Sequence, residues 1–270
     1  MATLEARINA LASLERPERS RENLALLAEF RAALNRGEIR VAEPVGDQWK
    51  TNVWVKKGIV LQLAIGSGIE DGSPAPAFPV RQFDAAHVRI PVGGVLVRDG
   101  AFVGRGATCM PGVFVDVGAY IGAGSLLDCY VTVGLCAQVG ERASISSGTH
   151  IGGFLGPPAE RLPTILCDEV VVGGNCGIYG GVYVGRGAVL AAGTILTGQS
   201  RVYDAIKKQY TKSYQGQPLA IPANAIVAPG ARAISKGPAA GMGLMLQLPV
   251  IVGYRDQPGI AEDFMAGLMD

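Results

Sequence analysis

From residue 101 the apolar residues recur every six positions. Written in sixes, the chain reads AFVGRG, ATCMPG, VFVDVG, AYIGAG, SLLDCY, VTVGLC, AQVGER, ASISSG, THIGGF. After the nine residues LGPPAERLP it resumes in frame: TILCDE, VVVGGN, CGIYGG, VYVGRG, AVLAAG, TILTGQ. Of these fifteen hexads, fourteen carry Val, Ile or Leu at the third place, and the fifteenth carries Cys109. The first place is nearly always Ala, Val, Ser or Thr, and the fourth is most often Gly. A period of six suits neither an α-helix nor a long strand. It predicts a three-sided coil of eighteen residues, with a short strand on each side and a turn at each corner. The third position points inward and stacks on its equivalents above and below. Each coil buries little alone, so stability comes from stacking.

Upstream the pattern is helical. Leu4, Ile8, Leu11 and Leu14 share one face, and Pro17 interrupts them. Leu24, Leu27, Phe30 and Leu34 form a second amphipathic segment ended at Gly37. Residues 50–63 are apolar and partly β-branched, which leaves helix and strand both open. Residues 66–86, rich in Gly, Pro and Ala, read as an irregular connection. Segment 155–163 should protrude from one corner of the coil, and 200–220 is a longer excursion. PANAIVAPGAR then suggests a last partial coil, LPVIVGY a strand and AEDFMAGLM a terminal helix. The organisation is therefore an N-terminal helical domain and connection over 1–86, a β-helix over 87–235 and a C-terminal tail over 236–270. The fold class is mainly β.

Composition narrows the function classes. Hydrophobic residues make up 49% but aromatics only 6%, with 38 glycines, which suits thin repeated layers over one bulky core. A net charge of +1 argues against nucleic-acid binding, which rests on phosphate neutralisation. Five cysteines without a CxxC spacing, and only His87 and His150, argue against a metal site and fit a reducing, cytoplasmic setting. No stretch is apolar for the roughly 20 residues a membrane span needs, and the charged start lacks a signal core.

Several stretches go beyond the repeat. GEIRVAE, DQW and WVKK near 37–57 are followed by VRDGAFVGRGATCMPGVFVDVGAYIGAGSLLDCYVTVGLCAQVG, then SSGTHIGG, PTI at 163–165 and GQSRVYD at 198–204. From about residue 22 to about 235 the chain resembles the tetrahydrodipicolinate N-succinyltransferase family of hexapeptide-repeat acyltransferases. The resemblance implies a left-handed β-helix, a homotrimer, and acyl-CoA bound in a groove between subunits. It implies transfer of a succinyl group from succinyl-CoA to the amine of ring-opened tetrahydrodipicolinate, in lysine and diaminopimelate synthesis. No metal is implied.

By position, Asp128 matches the family's catalytic acidic residue and Arg98 a substrate-binding arginine. The chemistry suits them. A carboxylate can orient an attacking amine or accept its proton, and an arginine fork pairs with a dicarboxylic substrate. Lys207, Lys208, Lys212 and Lys236 are candidates for the CoA phosphates. Lys56 and Lys57 lie in a matching motif and are read as structural or interfacial.

The chain also departs from the family. Where many members read GARSEVVEG, this chain reads GGNCGIYGG, so Gly177 stands in place of a glutamate. Tyr130 replaces a tryptophan, Gly156 an acidic residue, and VIVGYRD a lysine-rich tail. His150 is an added group at an outward second position, a candidate general base. Two other readings follow: an acyltransferase using His150 on another amine or alcohol, or with acetyl-CoA as donor; and a non-catalytic trimeric scaffold.

Overall fold

The structure is a computed structural model that describes residues 2–46, 48–70, 73–81, 87–211 and 219–256. The expected terminal helix and Lys212 fall outside the described residues.

The hexads close into coils with three flat faces. Face 1 stacks Thr108–Cys109, Leu126–Leu127, Ser144–Ile145, Val171–Val172, Val189–Leu190 and Ala225–Ala228. Face 2 stacks Leu96–Val97, Phe114–Val115, Thr132–Val133, His150–Ile151, Gly177–Ile178 and Ile195–Leu196. Face 3 stacks Phe102–Val103, Tyr120–Ile121, Gln138–Val139, Ile165–Leu166, Tyr183–Val184 and Ala220–Ile221. Neighbouring strands on a face are parallel, and Leu127 pairs with Ile145 eighteen residues on. This is the mainly β, left-handed parallel β-helix expected from the repeat and its family resemblance. The ladder starts at Leu96, ahead of the hexad AFVGRG.

The third-position side chains form the core: Leu127, Val133, Ile145, Ile178 and Leu190 are all fully buried. Cys109 fills a Val place, and burial pushes its thiol up to about 12. Ser125 and Thr149, at the small first place, satisfy their buried hydroxyls by donating to the carbonyls of Gly140 and Gly173. Corners need a left-handed residue at the sixth place, supplied by glycines such as Gly112 and Gly118 but also by Tyr130 at φ 60°.

Both excursions keep the frame. Val139 pairs with Leu166, twenty-seven residues on, because 155–163 inserts nine. The 155–163 loop leaves the corner between faces 2 and 3 and lies against the helical domain, where the Lys56 ammonium donates to the Arg161 carbonyl at 2.6 Å. The second excursion contains the hairpin Tyr203–Asp204/Gln209–Tyr210 and rejoins face 3 at Ala220. The tail strand Val250–Tyr254 runs antiparallel to Ala225–Ala228 and parallel to Tyr203–Asp204, covering the open edge of the last coil. Tyr254 Oη donates to the buried carboxylate of Asp204.

The N-terminal part holds three helices. α1 (Leu4–Ala12) is capped by Thr3 and α2 (Arg21–Asn35) by Ser20. α1 ends before Leu14, which is therefore exposed and not on the buried face. α2 closes on Gly37 at φ 70°, with Glu38 N donating to Ala33 O and Gly37 N to Leu34 O. The ambiguous stretch resolves into strand Gln48–Thr51, paired with Ala42–Val45, and α3 (Val53–Ile65). α3 packs against α1, α2 and the coil corner at Val117 and Cys136, but it also carries Val60 and Leu63 on its exposed side, and these outward apolar residues blur the helical period. The connection 66–86 contains a short hairpin, Gly68–Glu70 with Ser73–Ala75, where an irregular segment was expected.

This domain also covers face 3. Arg40 lies 3.5 Å over the Tyr120 ring, 5.4 Å from Trp49, and donates to the buried Gln138. Faces 1 and 2 keep Leu96, Leu126, Tyr130 and Tyr179 exposed.

Candidate active site

Asp128 follows Leu127 at the corner where face 1 turns into face 2. Its amide donates to Ile145 O in the coil above at 2.9 Å, which fixes the backbone. The side chain is half-buried and engaged from two sides. Oδ1 accepts from Cys129 N at 2.7 Å, and Oδ2 accepts from Ser147 Oγ at 2.6 Å. The Ser147 hydroxyl, followed by the Cys129 amide, holds the Asp128 carboxyl below the usual carboxylate range. The group therefore stays ionised and presents its remaining lone pairs outward. Two residues on, Tyr130 is 70% exposed, with its ring resting over Gly112 of the coil below. A left-handed non-glycine residue is strained backbone, held here beside the candidate acid.

His150 is exposed at the outward position of face 2. It pairs with Thr132 below and Gly177 above. The strand carrying Thr132 is the one that the Asp128 corner feeds. Asp128 and His150 thus flank the same face one coil apart.

Gly177 has lost its place for a side chain. A Cβ there would lie 2.5 Å from Tyr179 Cε2 and 3.0 Å from Ile195 Cδ1. The Tyr179 ring also lies over Gly152, so it seats across two glycines next to His150. At Gly156, by contrast, a Cβ would meet only Phe154 Cε2, at 4.0 Å.

Arg98 is at another corner, where face 2 turns into face 3, thirty residues and so less than two coils below Asp128. Its Nη1 donates to Phe78 O at 2.9 Å, and its Nε is 3.4 Å from Asp116 Oδ1. One chain does not bring Arg98 to Asp128. Nor does it bring the lysines there. Lys207 and Lys208 sit on the hairpin at the far end of the coil. Lys207 Nζ is 4.0 Å from Asp204 Oδ2 and 4.2 Å from the Tyr254 ring centre, while Lys208 is exposed in the turn. Lys236 is exposed in the tail. A cleft of about 370 Å³ lies under this hairpin, lined by Asp204, Lys207, Tyr210, Ile221 and Pro222 among others.

The comparisons with known proteins point one way. The family model described as Tetrahydrodipicolinate N-succinyltransferase N-terminal matches residues 2–65. The 2,3,4,5-tetrahydropyridine-2,6-dicarboxylate N-succinyltransferase of Caulobacter vibrioides is 32% identical over 224 residues, 75% of this chain and 76% of its own. The like-named protein of Afipia carboxidovorans is 32% identical over 242 residues, 83% of this chain and 82% of its own. The chain belongs to the tetrahydrodipicolinate N-succinyltransferase family. That of Idiomarina loihiensis is 34% identical over 215 residues.

Sequence reading alone missed Ser147 and Tyr179. Both lie in stretches singled out by the family pattern, SSGTHIGG and GGNCGIYGG, but a link between positions 128 and 147 crosses coils. The eighteen-residue coil length was the signal that could have found it.

Proposed function

We propose that this chain is an acyl-CoA-dependent N-acyltransferase. It moves the succinyl group of succinyl-CoA to the amine of ring-opened tetrahydrodipicolinate, a step of lysine and diaminopimelate synthesis, and works as a cytoplasmic homotrimer. The observation that carries the reading is Asp128: an ionised, two-point-held carboxylate beside an open face, in a chain related to succinyltransferases over most of its length.

The chemistry is an amine attacking a thioester carbon. A C–N bond forms, the C–S bond breaks, CoA leaves as the thiol, and the amine gives up a proton. Asp128 accepts a hydrogen bond from the amine N–H, which aims the nitrogen lone pair and stabilises the positive charge that grows on it. A carboxylate held this acidic keeps the proton poorly, so His150 on the same face is the candidate to receive it. Arg98 binds an acceptor carboxylate as a fork, exchanging its loose contact with Asp116. Lys207, Lys208 and Lys236 face the CoA phosphates.

The trimer joins groups that one chain keeps apart, Arg98 and the lysines with Asp128. Its support is the uneven covering of the coil. Face 3 is roofed by the N-terminal domain, while Leu96, Leu126 and Tyr179 remain exposed elsewhere. No helix among the described residues is long and apolar enough to cross a membrane.

The test is thiol release by the purified protein with succinyl-CoA or acetyl-CoA, each with tetrahydrodipicolinate or L-2-aminopimelate. Turnover with succinyl-CoA and tetrahydrodipicolinate is expected. The Tyr179 ring on Gly177 and the added His150 favour, as second reading, transfer to a different acceptor, read as thiol release with another amine alone. Failure to bind CoA at millimolar concentration would leave only a scaffold.

A further inference from the structure

Among the described residues, the Asp128 carboxylate is oriented by hydrogen bonds from Ser147 and Cys129, the groups that lower its pKa. The coil below brings Met110 and Pro111 to this corner, and the coil above brings Ser146, Ser147 and Gly148. The neighbouring titratable groups are the Cys129 thiol and the Tyr130 phenol on its own corner, with His150 on the adjoining face.

Ser147 is itself held on both sides. Asn175 N donates to Ser147 O at 2.9 Å from the coil above, and Gly148 N donates to Cys129 O at 2.9 Å in the coil below. Gly148 is left-handed at φ 70°, and a Cβ there would strike Asn175 Oδ1. Three successive corners thus fix where the Ser147 hydroxyl points, and it points at Oδ2 of Asp128.

We propose that Ser147 is a positioning residue for acyl transfer, its hydroxyl aiming Asp128 so that the carboxylate's free lone pairs meet the attacking amine. The inference deepens the N-acyltransferase reading and rests on it. Ser147 touches no reacting atom. Its hydroxyl occupies one lone pair of Oδ2, stops the carboxylate from rotating, and stabilises the ionised form. The amine then finds a hydrogen-bond acceptor in one orientation over the whole working pH range.

The test is Ser147→Ala in the full chain, with Ser147→Thr as the variant that keeps the hydroxyl. Loss of one hydrogen bond to a charged group predicts a fall in kcat of about tenfold. KM for the acyl-CoA stays unchanged, and Ser147→Thr recovers kcat. A second readout needs no turnover: carboxyl-carbon NMR follows the Asp128 titration, which moves to higher pH in Ser147→Ala and returns in Ser147→Thr. Active wild type with an unmoved carboxyl titration in Ser147→Ala overturns the role of Ser147 alone. Inactive wild type with every acyl-CoA and acceptor overturns the acyl-transfer reading, and this role with it. A lower thermal midpoint in Ser147→Ala with the carboxyl titration unmoved makes Ser147 merely structural and also overturns the proposal.

Discussion

The seat of Tyr179 can be measured. Gly177 has an ordinary negative-φ backbone, so Gly177→Ala is penalised by space and not by conformation. The new methyl would sit 2.5 Å from Tyr179 Cε2, well inside van der Waals contact. The ring is 39% exposed and free on its outer side, so it swings off the ledge and leaves the backbone in place. An aromatic side chain of this size buries on the order of 150 Å² or more, and lifting it exposes roughly 50–80 Å². At about 25 cal/mol per Å² the cost is about 1–2 kcal/mol. For a chain of this length that lowers the thermal midpoint by about 2–4 °C per kcal/mol. Tyr179→Ala costs a similar amount by losing the same contact. In the double variant the methyl meets no ring, so the two costs overlap, and the coupling is about 1 kcal/mol. The assay is urea unfolding followed by far-UV circular dichroism on the four proteins of the cycle. Costs that add to within about 0.5 kcal/mol would show that the ring does not rest on Gly177.

Other outcomes are as specific. Asp128 has a carboxyl more acidic in the folded chain than in the unfolded one. Its contribution is therefore present above the unfolded value and lost as pH falls through the lower folded value. Asp128→Asn should lower the thermal midpoint at pH 7, and the gap should close on acidification below about pH 4; a gap that widens in acid contradicts the hydrogen-bond assignment. Lys56 is a buried ammonium whose acidity is raised by desolvation, with one strong acceptor, Arg161 O. Lys56→Met should change stability little, because relief of desolvation offsets the lost bond, yet release the 155–163 loop. Limited proteolysis near Glu160 should then quicken, and an unchanged cleavage rate refutes the tether. Burial pushes the Cys109 and Cys136 thiols to about 12, while Cys129 is partly exposed. Mass spectrometry after brief native alkylation should find Cys129 modified first, and early labelling of Cys109 would mean that the coil opens.

Much of the fold is visible in the hexads because the repeat is local. Each third-position Val, Ile or Leu meets its equivalent one coil away, so the same pattern that sets the turn also sets the partner. The in-frame return after 155–163 was readable for the same reason. Less was readable where packing came from distant elements. α3 buries one side against α1, α2 and the Cys136 corner yet also exposes Val60 and Leu63, so its period alone did not choose helix over strand. Leu14 fits the spacing of α1, but the helix stops two residues earlier and leaves it in solvent. What the 155–163 loop rests on was not readable, because nothing local reports that Lys56, about a hundred positions earlier, holds Arg161.

The sequence by itself determined the six-residue frame, the inward stack and the place of the insertions, because coil geometry is written within a few neighbouring residues; Asp128 and Arg98 became candidates only through the family resemblance, and His150 as a departure from it. Only the tertiary structure decided what those side chains touch. It gave Asp128 its second donor in Ser147, set the Tyr179 ring on Gly177, roofed face 3 with Arg40 and left Arg98 at a different corner. Each depends on which residues of successive coils coincide at a corner, and on side-chain reach across them. Distance in space, and not position in the chain, fixes both.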